Sequence, residues 1–167
     1  MRLTNQYTKY ILYIVYIIKA VIFISYSTSF TQGITLLLFI HSLSENQNLH
    51  AISAKLLSEY SGIPLPTTNK TLKSLNAAKL IASKEGANGG NLLLKPISQI
   101  TLLDIFMAIE QDAPLFKMHT AIPCEHPYIE NLKDRVSMCL SKAGDAMKAS
   151  LSKITLDNIL TGDLNNE

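Results

Sequence analysis

The sequence predicts a mainly α-helical chain with one small β-hairpin, an α+β fold. Apolar residues recur every three or four positions through the middle and the last third of the chain, as they do on amphipathic helices. One glycine-rich run, Lys84 to Gly90, lies between two short apolar segments, as in a hairpin. The chain has 167 residues, of which 47% are hydrophobic and 17% charged, so it can fill one hydrophobic core. This composition excludes a disordered or collagen-like chain.

The first elements of the chain are the hardest to interpret. Tyr10 to Tyr26 is an almost unbroken apolar run of 17 residues with Lys19 near its middle. That length is at the lower limit for a bilayer span, and a central lysine costs about 2.5–3.5 kcal/mol on insertion. No small-residue cleavage site follows, as a signal peptide would require. We interpret residues 1–24 as an extension ahead of a soluble domain, with a membrane segment as the alternative.

Three helices are predicted next. Ile34 to Leu43 is apolar enough for a buried helix, and Ile52 to Tyr60 has its apolar residues on one face. The turn at Ser61-Gly62-Ile63 suits a glycine in the left-handed conformation, with Ile63 packing back between the helices. A third helix begins at Pro64 or Pro66, because the first turn of a helix needs no proline N–H. Its apolar stripe continues through Leu72, Leu75 and Leu80.

The predicted exposed face of that third helix carries side chains that can read DNA. These are Thr67, Thr68, Asn69, Lys70 and Lys73. Asparagine pairs with adenine through both amide atoms, lysine reaches guanine or phosphate, and threonine offers a hydroxyl and a methyl group. Any solvated helix face carries the same residue types, so this segment alone does not decide between the two interpretations.

The hairpin that follows favours DNA binding. Two apolar strands, Leu80 to Ser83 and Asn91 to Pro96, flank the glycine-rich turn. A hairpin directly after a recognition helix is a wing, which lies along phosphate or enters the minor groove. The predicted contacts in the wing are Lys84, Asn88 and Gly89. We therefore interpret residues 25–98 as a winged helix-turn-helix DNA-binding domain.

Charge is distributed unevenly along the chain, although the formal net charge is only +2. Residues 48–96 hold six lysines against two glutamates, whereas residues 97–167 hold six basic against ten acidic side chains. A basic middle suits a polyanion as partner, although ordinary clustering of surface charge is the alternative.

The last third predicts two helices. Thr101 to Asp104 has the character of a capping box and opens the helix Leu102 to Glu110. From Pro127 onward one long amphipathic helix is predicted, and we expect it to pair with its copy in a homodimer, an intramolecular core helix being the alternative. The predicted dimer residues are Ile129, Leu132, Val136, Cys139, Leu140, Ala143 and Met147. Residues 99–160 make up this region, and 161–167 are predicted to be a disordered tail.

The run from Lys70 to Glu110 resembles the Rrf2 family of bacterial winged helix-turn-helix transcriptional regulators. The matching motifs are K-x-L-x-x-L-x-x-A-x-L, a glycine-rich wing, L-x-x-P and I-T-L-x-D, and the resemblance extends in register over about Ser25 to Leu160. It implies a DNA-binding regulator that is dimeric through the long C-terminal helix. A dimer presents two recognition helices about 34 Å apart, which favours a near-palindromic operator. Two cysteines cannot build a disulfide framework, so a cytoplasmic location is the default. The resemblance also places the usual start of the chain near Ile24.

Several positions depart from the family pattern. Glu85 stands where a basic residue precedes the wing glycine, and Asn91 stands where an aromatic follows Gly90. Both should weaken the wing, because an acid repels phosphate and the loss of a ring removes packing. Thr68 and Thr71 stand where the family more often buries aliphatic side chains.

The resemblance also implies a sensor in the loop from Gln111 to Tyr128. Iron-sulfur members hold three cysteines there, whereas this loop holds only Cys124, so we expect no iron-sulfur cluster and no other cofactor. Cys124 is a candidate redox-sensitive thiol, with a small buried side chain as the alternative. Its spacing from His119 and His126 fits no common zinc pattern, and no metal site is predicted.

The leading hypothesis is a cytosolic, dimeric repressor that binds specific DNA sequences and whose affinity is set by a signal on the loop from Gln111 to Tyr128. An enzyme is the second class considered, but the sequence has no phosphate loop, no G-x-S-x-G and no H-E-x-x-H motif. A membrane-tethered or degenerate adaptor that does not bind DNA tightly is the alternative, since Tyr10 to Tyr26 is apolar and Glu85 is acidic.

Overall fold

The computed structural model describes residues 28–47, 51–86, 89–110 and 127–163. The extension at 1–24, Asn88 of the wing, and Cys124 with the rest of segment 111–126 lie outside the described residues. Six α-helices and two strands lie within the described ranges: α1 Thr28–Gln47, α2 Ala54–Ser61, α3 Leu65–Ala77, β1 Ile81–Lys84, β2 Gly90–Leu93, α4 Leu102–Glu110, α5 Pro127–Leu151 and α6 Leu156–Thr161.

Helix α1 forms the centre of the core. The predicted helix at 34–43 is confirmed and extends several residues further at both ends. Leu36, Leu37 and Ile40 are at most 1% exposed, and α1 packs against α2, α3, α4 and β2. Burying each such side chain contributes about 1.5–3 kcal/mol. The burial of α1 therefore holds the other helices in their relative positions.

The helix-turn-helix outline is confirmed. Ser53 caps α2, and its side chain accepts a hydrogen bond from the Leu56 N–H. Gly62 ends α2 with a φ of 70°, and Ile63 packs into the core at 8% exposure. Helix α3 begins directly after Pro64. Local chain chemistry thus fixes both ends of the turn.

The two strands of the hairpin are antiparallel, with Ser83 opposite Asn91 and Lys84 opposite Gly90. Ile52, just ahead of α2, joins them through a single bridge to Asn91. The wing is therefore hydrogen-bonded to the segment that leads into the helix-turn-helix.

The capping box at the start of α4 is confirmed: the Thr101 N–H donates to Asp104 at 2.9 Å, and the Asp104 N–H donates to the Thr101 hydroxyl at 3.1 Å. Helix α6 was not predicted. It begins at a second capping box, between Thr155 and Asn158, and buries Leu156 completely. Because α6 includes Thr161, the predicted tail starts too early; residues 164–167 lie outside the described residues.

Within the described ranges, no helix has the length and apolar content that crossing a bilayer requires.

Candidate nucleic-acid interface

The N-terminal half of α3 presents polar and basic side chains to solvent. Asn69, Lys70 and Lys73 are exposed, and Thr67 is half-buried. They share one side of the helix because α3 buries the opposite side, with Leu72 at 5% and Leu75 at 0% exposure. An amide and two ammonium groups on a free helix face can bond base edges and phosphates.

Thr68 is not on this face, and its predicted exposure is wrong. The side chain is 0% exposed, and its hydroxyl donates to the Ile63 carbonyl at 3.1 Å, with the Pro64 carbonyl at 3.3 Å. Positions 68, 71, 72 and 75 follow the spacing of a buried helix face, so Thr68 and Thr71 are part of the core. Thr68 cannot contact a base.

Two apolar side chains in the first turn of α3, which were not predicted as part of this face, are also exposed. Leu65 is 40% exposed, and Pro66 is also exposed. Apolar groups at the start of a helix that enters the major groove can contact the methyl group of thymine. Their exposure could not be inferred from the sequence, because an apolar residue beside a core stripe is normally assigned to the core.

The wing presents charge of both signs beside its turn. Lys84, at the end of β1, and Glu85, the next residue, are both exposed. Gly89 serves the turn itself: its N–H donates to the Gly86 carbonyl at 2.9 Å, and a Cβ atom there would lie 2.3 Å from the Lys84 carbonyl oxygen. Gly89 can therefore offer only backbone to a ligand, and any side chain would open the turn.

Asn91 fills the position where an aromatic ring was expected. It is 6% exposed, and its side-chain amide both donates and accepts a hydrogen bond. The space below the hairpin is therefore occupied by a bonded amide.

All six lysines of the basic segment are exposed to solvent. Besides the three on α3 and the wing, these are Lys55, Lys79 and Lys95. Solvent-exposed ammonium groups on the same domain attract a polyanion and raise its local concentration, and added salt screens this attraction.

Helix α5 carries an exposed apolar face. Leu132 is 49% exposed and Val136 41%, and Cys139 and Ala143 are exposed as well. Leu140 and Met147, also predicted for the dimer interface, are half-buried within the chain, and the side chain of Ile129 lies outside the described residues. Met138, at 56% exposure, was missed because it lies off the heptad-like stripe.

The predicted thiol and its neighbours His119 and His126 lie in the segment outside the described residues. Among the residues that are described, no group of three or more histidine, cysteine, aspartate or glutamate side chains could hold a metal ion.

Comparison with known proteins places this geometry in a family. A family model described as Rrf2, iron-dependent transcriptional regulator, matches residues 26–162. YffB of Lactococcus lactis, which carries the name of an HTH-type transcriptional regulator, is 27% identical over 134 residues, covering 80% of this chain and 81% of that protein.

Solved structures share the fold. A transcriptional regulator from Lactobacillus plantarum superposes with a TM-score of 0.67 at 15% identity, over 84% of this chain and 91% of that one. IscR of T. potens gives 0.55 at 18% identity, over 84% and 88%. CymR, the global cysteine regulator of B. subtilis, gives 0.55 at 22% identity, over 83% and 97%.

The resemblance in the sequence is thereby confirmed over the helix-turn-helix, the wing and the C-terminal helices. The chain belongs to the Rrf2 family of winged helix-turn-helix, DNA-binding transcriptional regulators.

Proposed function

We propose that this chain is a cytoplasmic, homodimeric repressor that binds a near-palindromic DNA operator through α3 and the wing. One observation supports this most: Asn69, Lys70 and Lys73 form a free polar and basic face on the second helix of a helix-turn-helix. A wing with an exposed Lys84 follows that helix directly. The proposed contacts are base edges for Asn69 and phosphates for the three lysines.

Selection from fragmented genomic DNA tests the proposal. The full chain is incubated with the fragments, and bound DNA is recovered and sequenced. We expect a small set of enriched fragments that share an inverted repeat and lie upstream of genes. Enrichment proportional to fragment length alone would contradict sequence-specific binding, and an absence of bound DNA at 50 mM salt would contradict DNA binding altogether.

Repression is tested with an enriched promoter fused to a reporter gene. Expression of the chain should lower reporter output, and expression of a Lys70→Ala, Lys73→Ala variant should not. A rise in output would indicate an activator.

The proposed dimer rests on the exposed apolar face of α5. At about 3.6 residues per turn, positions 132, 136, 139 and 143 fall within about 60° of the helix circumference. Leu132 and Val136 remain roughly half exposed in the single chain. An apolar stripe that runs along the axis of a 25-residue helix suits pairing of the helix with its copy about a two-fold axis.

Val136→Glu tests the dimer, with Ser141→Glu as the matched control. Both positions are exposed on α5, but Ser141 faces away from the apolar stripe. We expect the first variant to sediment as a monomer and to bind operator DNA weakly, because it would bury a charge in the interface. The control should remain dimeric, and a dimeric Val136→Glu would exclude this face as the interface.

The proposed response to oxidation rests on Cys124 alone and on sequence evidence. Cys124 lies two positions before His126 in the sequence. A thiol near an imidazolium can be activated as a thiolate, and peroxide then oxidises it to a sulfenic acid. Mild peroxide should release operator DNA from the native chain and leave Cys124→Ser bound. Cys139→Ser, which removes the exposed thiol of α5, should respond like the native chain. Equal responses of the native chain and Cys124→Ser would exclude Cys124 as the sensor.

A further inference from the structure

The side chain of Asn91 joins three segments at the base of the wing. Its Nδ2 donates to the Ile52 carbonyl at 3.1 Å, and its Oδ1 accepts from the Ser83 hydroxyl at 2.9 Å. Ser83 lies on β1, Asn91 on β2, and Ile52 on the segment before α2. One buried amide therefore connects both strands of the wing to the helix-turn-helix.

The backbone around Asn91 is joined at the same place. The Asn91 N–H donates to the Ile52 carbonyl at 2.8 Å, and the Ile52 N–H donates to the Asn91 carbonyl at 2.9 Å. The Ile52 carbonyl thus accepts from both the backbone and the side chain of Asn91. Gly90 permits this approach, because a Cβ atom there would lie 2.6 Å from the Ile52 carbonyl carbon.

Ile52 connects the wing to the recognition helix α3 through the packing of α2. It is 1% exposed, and the next residue, Ser53, caps α2. Helix α2 packs against α3. The orientation of the wing is thereby set against the helix pair that presents Lys70 and Lys73.

Stability alone does not require an amide at this position. A leucine has the same branching and the same number of side-chain heavy atoms as asparagine. It would leave the backbone bonds intact, would leave the exposed Ser83 hydroxyl to water, and would bury apolar surface in place of a polar group. Removing one partner of a hydrogen bond is costly when the other is left buried and unsatisfied. Here the Ile52 carbonyl keeps its backbone bond and Ser83 is exposed, so neither partner is left in that state. The directional bonds of the amide instead restrict the angle between the wing and the domain.

We infer that Asn91 is a positioning residue for DNA binding: it holds the wing at the angle at which Lys84 reaches phosphate while α3 occupies the groove. The inference rests on the proposed function, since it requires that α3 and the wing bind the same duplex. Lys84 is at the free end of β1, opposite Gly90, so a change in the angle at Asn91 moves its ammonium group directly.

A double-mutant cycle tests the inference in the full chain, with the most enriched genomic fragment as probe. Counterion release predicts that Lys84→Ala lowers affinity about eightfold at 0.1 M salt for each wing that contacts phosphate. We expect Asn91→Leu to cause a similar loss and to flatten the salt dependence by a similar amount. In the Asn91→Leu background, Lys84→Ala should then lower the affinity for DNA by less than about twofold per wing, because the lysine is already out of position.

Lys73→Ala on α3 is the matched control, because it should lower the affinity for DNA by the same factor in the native and Asn91→Leu backgrounds. The midpoint of urea unfolding should not fall in Asn91→Leu, which separates positioning from a purely structural role. If Asn91→Leu does not fold, the same cycle is measured in Ser83→Ala, which removes one bond of the amide from an exposed position and should show the same pattern with a smaller amplitude.

Two results would overturn the inference: an undiminished cost of Lys84→Ala in the Asn91→Leu background, or a Lys84→Ala variant that binds like the native chain. Either can occur while the native chain still binds DNA tightly. A native chain that binds no duplex would instead refute the proposed function, so the two failures are distinguishable.

Discussion

Replacing Lys70 and Lys73 together by alanine should remove a defined part of the salt dependence of DNA binding. Both side chains are exposed on the free face of α3, so the double variant leaves the core intact. Each phosphate contact contributes about 0.9 to the slope of log affinity against log salt concentration. For the proposed dimer, two contacts per chain and two chains per operator give a decrease in slope of about 3.6.

This decrease corresponds to a large measurable difference. Between 50 and 200 mM salt, the native chain should lose about 150-fold more affinity than the double variant. Fluorescence anisotropy of a labelled operator duplex at four or more salt concentrations gives both slopes. Replacing Lys95, an exposed lysine beyond the wing, by alanine provides a control for general loss of charge.

A double variant with the native slope would refute the argument that α3 binds phosphate. If Lys95→Ala lowers the slope as much as the double variant does, the effect is due to net charge and not to the position of the lysines. A loss of sequence preference without a change in slope would place these lysines on base edges, not on phosphates.

Two further predictions concern the wing and the C-terminal helix. Glu85→Gln should raise affinity for any duplex, measured by anisotropy at 50 mM salt, because it removes an exposed acid beside Lys84; unchanged affinity would place the wing away from the phosphates. Leu156→Ala should lower the free energy of unfolding in urea by about 2–5 kcal/mol, because Leu156 is 0% exposed. A loss below about 1 kcal/mol would show that α6 is not part of the cooperative core.

Most of the DNA-binding domain could be predicted because its signals are local. The apolar spacing of α3, Gly62 at the turn and the glycine-rich hairpin each depend on a few consecutive residues. The structure confirms all three elements, with boundaries shifted by one to a few residues.

The errors have physical causes that a local pattern does not contain. Thr68 combines a methyl with a hydroxyl that can bond its own helix, so it fits either the exposed or the buried face. Asn91 is buried because its amide meets Ile52, 39 positions away in the sequence. Helix α6 has six residues, too few for periodicity to identify it, and only the capping pair Thr155 and Asn158 indicated its start.

The backbone bonds between the two capping boxes bear on the proposed dimer, because they fix how α5 is attached to the DNA-binding domain. Thr101 and Thr155 form an antiparallel bridge; beside it, the Leu102 N–H donates to the Ile154 carbonyl at 2.8 Å and the Leu156 N–H donates to the Ile100 carbonyl at 3.0 Å. The segment that follows α5 is therefore attached to the start of α4, and α4 packs against α1 and α3.

A flexible linker at this point would let the two DNA-binding domains of a dimer take many separations, since the span of such a linker varies with its length. Hydrogen bonds on both sides of the bridge remove that freedom. If α5 pairs about a two-fold axis, the distance between the two α3 helices follows from the packing of each chain against its own α5. The half-sites of the operator should therefore have one spacing, and a duplex with two base pairs inserted between them should bind like non-specific DNA.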